Sequence, residues 1–242
     1  MLVAVFFSIS AVSFVTAGEN HFLSFTGYGS IVSEYVWRGF DVLNGHPAFQ
    51  PGATIGFGNT GIYFDYWSSY ALTHRTDEEH FLDRFDEIDL TLGINKSLKE
   101  LINIPISVQA GGIGYIFPNL DKDDFTWELF AGVTFDEIIF TPYVKFYYDF
   151  ELGNGLYAEV GGNYSVKVFK EQVLVASAAI GYNGGQYNTE SGISNIPLGL
   201  ATTFNLDILA ITPSVSYIFT PDESVNSDSG EFVAAIKAAV SI

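Results

Sequence analysis

The chain has 242 residues, 48% of them hydrophobic and 16% aromatic, which is enough apolar material for one sizeable domain or one barrel. Lys and Arg number 10 against 28 Asp and Glu, and the resulting formal net charge of -18 repels phosphate backbones and argues against nucleic acid as a partner. No cysteine is present, which excludes disulfide frameworks, thiolate metal sites and cysteine nucleophiles.

Residues 1–17 form an apolar run that ends in Val15-Thr16-Ala17 and gives way to the polar Gly18-Glu19-Asn20. This is the outline of a secretory signal peptide cleaved after Ala17, although the usual basic N-terminal region is missing. At 17 residues the run is short for a membrane-spanning helix, which needs about 20. The mature chain is then expected to be a single unit over 18–242.

Beyond Ala17 the recurring pattern is alternation with period two, clearest over 87–96. There Ile88, Leu90, Leu92 and Ile94 share one face, while Glu87, Asp89, Thr91, Gly93 and Asn95 share the other. Twelve such segments are predicted, at 23–37, 48–57, 62–69, 87–96, 105–117, 125–135, 139–150, 156–168, 173–182, 196–206, 210–220 and 231–242. Most run for about ten residues, the length a tilted strand needs to cross a bilayer. Their connections alternate between long polar segments (38–47, 70–86, 118–124, 151–155, 183–195, 221–230) and shorter ones such as Gly58-Asn59-Thr60-Gly61 and Leu206-Asp207-Ile208. Outer-membrane barrels show that alternation, with short periplasmic turns and longer outer loops. The expected fold is therefore all-β: an antiparallel, up-and-down transmembrane β-barrel of about twelve strands. A soluble β-sandwich is the competing reading, but a water-facing sheet normally carries more Lys and Glu than these strands do.

The phase of each strand assigns its faces. Phe125, Trp127, Tyr148, Phe150 and Phe232 form an expected lipid-facing girdle near the outer loops, and Phe57, Phe135, Phe140 and Phe204 form a second near the periplasmic turns. The opposite phase sends Glu34, Arg38, Asp65, Glu87, Asp89, Glu128, Lys145, Asp149 and Glu159 into the lumen. Arg38 is expected at the mouth, where the first strand meets its loop, with Glu34 below it on the same face.

The stretch Ser33-Glu34-Tyr35-Val36-Trp37-Arg38-Gly39-Phe40, followed by Pro47-Ala48-Phe49-Gln50-Pro51-Gly52, resembles the opening of the TorF family of porin-like proteins. Gly61-Ile62-Tyr63 with Trp67 and Ser69, Glu87-Ile88-Asp89-Leu90 with Gly93, Gly114-Tyr115 with Pro118, and Glu128-Leu129 with Gly132 follow in the same order. The resemblance implies an outer-membrane barrel with a channel role and brings no catalytic residues. One departure is the C-terminus, Ala238-Ala239-Val240-Ser241-Ile242, where such barrels usually end in an aromatic residue read by the assembly machinery.

Carboxylates outnumber bases among the inward residues, and a ring of acid in a narrow passage attracts cations. The expected function is a porin-like channel for passive diffusion of small hydrophilic solutes, with weak cation preference. Its alternative is a non-conducting structural or adhesive barrel whose lumen is filled by Tyr and Trp, with Arg38 and Lys145 paired to carboxylates. A lipid-modifying barrel enzyme using Ser68 or Ser69 with His74 is a third reading; no enzyme activity, cofactor or specific metal site is expected. The acidic stretches 75–86 and 120–124 suit a solvated surface beside lipopolysaccharide, bridged by free divalent ions. Expected partners are membrane lipid, lipopolysaccharide, the barrel-assembly machinery and small solutes.

Overall fold

A computed structural model describes residues 22–73, 86–120, 124–169, 172–228 and 230–242. The signal peptide expected at 1–17, and most of the acidic stretch 75–86, lie outside the described residues.

Period-two alternation gives a strand one wet and one greasy side, and the chain builds its wall from such strands. They are β1 (Leu23–Val32), β4 (Ala48–Phe57), β5 (Ile62–Ala71), β6 (Glu87–Ser97), β7 (Ile106–Ile116), β8 (Phe125–Phe135), β9 (Tyr143–Asp149), β10 (Gly155–Phe169), β11 (Gln172–Gly184), β12 (Ser191–Thr202), β14 (Leu209–Phe219) and β15 (Glu231–Ser241). Two short strands outside the wall, β2 (Val36–Trp37) and β3 (Phe40–Asp41), pair only with each other, and β13 (Phe204–Leu206) extends the turn before β14. Each wall strand pairs antiparallel with its neighbours in chain order, and β1 closes the circle on β15. Thr26 lies opposite Ser241 in that seam, and Phe25 and Ile242 exchange backbone hydrogen bonds of 3.0 and 2.9 Å. The result is a closed twelve-stranded antiparallel barrel. It leaves no free sheet edge.

Exposure runs opposite to that of a water-soluble sheet. In β6 the outward Leu90, Leu92 and Ile94 are exposed, while the inward Glu87, Asp89 and Thr91 are buried. Phe125, Leu129, Val160, Ile180, Leu198, Leu200 and Ile236 are exposed in the same outward phase around the wall. A continuous apolar belt of this extent cannot face water and marks the surface that meets hydrocarbon. No helix among the described residues is long and apolar enough to cross a membrane; α1 (Lys99–Ile102), in the turn between β6 and β7, has four residues.

Three segments differ from their expected bounds by more than two residues at one end. The first strand ends at Val32 rather than Trp37, because β4 begins at Ala48 directly opposite Val32 and offers nothing to pair with beyond it. The seventh begins at Tyr143 rather than 139, because Phe140 and Thr141 take left-handed φ values of 70° and 37° that break the extended run. Residues 191–195, read as loop, belong to β12, which carries a β-bulge where Gly181 faces Asn195 and Tyr182 faces Ile193. A bulge turns an additional side chain toward one face. Ser194 and Asn195 are consequently both buried.

Candidate functional site

Leaving the wall at Val32, the chain turns into the bore. Ser33 still donates its amide to the Ala234 carbonyl at 2.8 Å, and the following residues form the β2–β3 hairpin. Its two turn residues, Arg38 and Gly39, have φ values of 50° and 94°. Two positive φ values are what a tight two-residue hairpin turn requires. The turn projects Arg38 across the lumen to the opposite wall.

Arg38 there meets Glu128 of β8 through two parallel bonds, Nη1 to Oε2 at 2.9 Å and Nη2 to Oε1 at 2.8 Å, and Nη1 also donates to Gln186 Oε1 at 2.7 Å. Its guanidinium lies 4.7 Å from the Tyr147 ring centroid, 4.3 Å from that of Tyr157 and 4.6 Å from that of Trp37. Charge-assisted forked pairing of this kind is the strongest contact the two side chains can make. The rest of the hairpin fills the bore around it. Tyr35 donates to Glu87 at 2.7 Å and packs its ring 5.6 Å from Trp67; Trp37 lies between Tyr115 and Tyr187; Val36 packs with Ile218 and Val233; Gly39 sits against Ser194, Asn195 and Asn226. The end of the barrel that carries the long loops is thus narrowed by its own first loop.

The other inward residues hold distinct positions. Asp65 accepts from Tyr28 at 3.1 Å and from Thr54, and Glu159 accepts from Tyr143 at 2.9 Å and Tyr157 at 3.4 Å. Like the Tyr35 bond to Glu87, these neutral hydroxyls hold a carboxylate without cancelling its charge. Asp149 is engaged locally. It accepts from Thr126 at 2.8 Å and from the amides of Glu151, Gly153 and Asn154, which ties down the tight β9–β10 loop. Asp89 is 1% exposed and stands beside Glu87 on the inward face of β6. On the basic side, Lys145 Nζ stands 4.8 Å from the Tyr143 ring centroid and Lys237 Nζ 4.3 Å from that of Tyr28.

Glu34 does not share a face with Arg38, because the wall strand that would have aligned them has ended. It converges instead with Asp41 and Glu231 at the rim, where the three carboxylates bring oxygens within 4.8 Å of one another. Burial, reinforced by the negative charges of Glu231 and Asp41, pushes the Glu34 carboxyl up to about 7. Among the girdle residues, Phe125, Trp127, Phe135, Tyr148 and Phe232 are exposed on wall strands and Phe150 is exposed just past the end of β9, where it stacks on Trp127 with centroids 4.2 Å apart. Phe57 is half-buried beside Leu23; Phe140 and Phe204 are exposed but stand in the turn before β9 and in β13.

Tyr35, Gln186, Tyr187 and Asn195 also face the interior and were not among the residues read from the sequence. Strand phase carried through residue 37 would place Tyr35 outward, and Gln186 and Tyr187 sit in a connection with no periodic signal. Ser68 and Ser69 are buried on opposite faces of β5, and His74 lies outside the described residues.

Comparison with solved structures returns outer-membrane barrels. A KdgM porin, solved in complex with disordered oligogalacturonate, is 9% identical, with 90% of this chain and 97% of that chain covered at a TM-score of 0.50. A NanC porin is 8% identical, with 89% and 98% covered at a TM-score of 0.53. At such identity the likeness extends to the fold, a porin-like β-barrel of the bacterial outer-membrane type. No curated protein matches the chain in sequence. Residues 17–239 match the family model described as "Bacterial protein of unknown function (Gcw_chp)", and the chain belongs to that family.

Proposed function

We propose that the protein is an outer-membrane channel for small hydrophilic solutes, exported by a signal peptide at 1–17 and narrowed by its first loop so that cations pass in preference to anions. The observation that carries this reading is the pair Glu87 and Asp89, two buried carboxylates side by side on the inward face of β6. Two adjacent buried carboxylates repel each other when both are charged, and a mobile cation relieves that cost. Asp65, Glu87, Asp89 and Glu159 outnumber the inward Lys145 and Lys237, which leaves the bore a net negative field. A polyanion such as the oligogalacturonate of the KdgM porin is an unsuitable solute for a passage of that sign. The resemblance to TorF porins supports the channel role, and lipid, lipopolysaccharide and the assembly machinery would be its envelope partners.

Refolded protein in a planar bilayer under a salt gradient should show discrete steps and a cation-shifted reversal potential. Asp89→Asn should move that potential toward zero. An anion-shifted potential would contradict the reading. A second reading, a closed structural barrel, is favoured by the Arg38–Glu128 fork and by the aromatic side chains around it. Silence from verified folded protein in the same bilayer would decide for that alternative.

A further inference from the structure

The contacts of Arg38 have the form of a ligand in a pocket. Every group that receives the guanidinium, apart from Trp37, belongs to the far wall or its loops: Glu128 on β8, Tyr147 on β9, Tyr157 on β10 and Gln186 after β11. Those groups are also held in place without it. Tyr115 donates to Glu128 Oε1 at 2.9 Å; the Gln186 side-chain amide donates to the Gly155 carbonyl at 3.1 Å, and its backbone amide donates to Asn183 Oδ1 at 2.7 Å. Two carboxylate oxygens, an amide carbonyl and two tyrosine faces match a planar forked cation and suit a compact ammonium less well.

The arginine reaches this pocket on a hairpin that packs into the bore through Tyr35, Val36 and Trp37 without joining the wall sheet. The β2–β3 hairpin consists of two residue pairs, Val36 with Asp41 and Trp37 with Phe40, and shares no pairing with the wall. Arg38 itself takes a left-handed φ of 50°, which an L-residue with a long side chain disfavours, so its side-chain contacts hold the backbone there. Lifting the hairpin would leave the wall pairing intact and Glu128, 1% exposed, without its charge partner. A cation of the same shape would then take the vacated place.

We propose that this carboxylate and aromatic box is a binding site for small guanidinium-bearing cations, which Arg38 fills as a tethered competitor. The inference deepens the channel reading and rests on it, since it names the solute class. Its test measures binding apart from conduction.

Arg38→Ala, refolded in detergent as the full chain, should bind methylguanidinium saturably, with a change in tryptophan fluorescence from Trp37 and a raised unfolding temperature. The affinity should be at least about ten-fold tighter than for methylammonium, and it should fall by at least about ten-fold in Arg38→Ala combined with Glu128→Gln. Equal affinity for the two cations, or binding unaffected by Glu128→Gln, overturns the proposal. Folding of Arg38→Ala only when methylguanidinium is present supports it. If that variant folds under neither condition, Arg38→Lys decides: a methylguanidinium-selective rise in its unfolding temperature supports the site, and no rise overturns it. Conduction without guanidinium selectivity in these assays removes the site alone, whereas selective binding with a silent bilayer removes the channel reading alone.

Discussion

Glu34, Asp41 and Glu231 crowd three carboxylates together at the rim, and the folded barrel favours the protonated form of Glu34. An ordinary glutamate loses its proton near 4.5, whereas Glu34 holds its proton up to about 7. Its stabilising contribution is therefore complete below 4.5 and is lost as pH rises through about 7, because only the unfolded chain releases the proton early. The unfolding temperature in detergent should fall across that window and then level off. Glu34→Gln, neutral at every pH, should flatten the fall, and identical profiles for the two proteins would contradict this assignment. Arg38 shows what residue-scale reading can and cannot reach. Its charge and its place at the end of a strand mark it in the sequence, but its partner Glu128 is 90 residues away and Gln186 is 148 away. No local pattern encodes pairings at those separations.

Among the elements, β7 carries Gly111 and Gly112 side by side on opposite faces, and the structure separates their roles. Gly111 lies opposite Gly93 of β6, and a Cβ added to it would stand 2.4 Å from the Leu92 carbonyl oxygen and 2.8 Å from the Gly93 Cα. Backbone cannot yield as a flexible side chain can, so Gly111→Ala should cost about 1–3 kcal/mol, read as a lower urea midpoint for unfolding from detergent micelles. The same addition at Gly112 meets nothing nearer than Leu129 at 3.5 Å, so Gly112→Ala should leave the midpoint unchanged. Strands were the legible part of the fold. The segments 48–57 and 125–135 match β4 and β8 at both ends, because alternation is a property of consecutive residues and the wall simply uses it. The β2–β3 hairpin was not legible: the alternating pattern runs on past Val32, and the pairing partner on the β4 side stops there.

For the whole molecule, the exposed apolar belt requires hydrocarbon as its solvent, and position on the wall decides what a charge does. Leu92 projects outward midway along β6, so Leu92→Arg should destabilise the barrel in vesicles by about 2–4 kcal/mol. Asn95, exposed on the inward face of the same strand, should accept Asn95→Lys with little loss. The folded fraction, read from the difference in gel migration between unboiled and boiled samples, checks both; equal losses would contradict the assignment of faces. The sequence by itself determined the all-β class, the twelve wall strands and which face of each is greasy, because a period of two residues is written locally and a bilayer sets the required length. Only the tertiary structure decided that the first loop folds inward, that Arg38 reaches Glu128, Tyr147 and Tyr157, and that Asp149 serves a loop. Those outcomes depend on ring closure, which brings strands distant in the chain to the same height around one bore, where their side chains compete for the same few cubic nanometres.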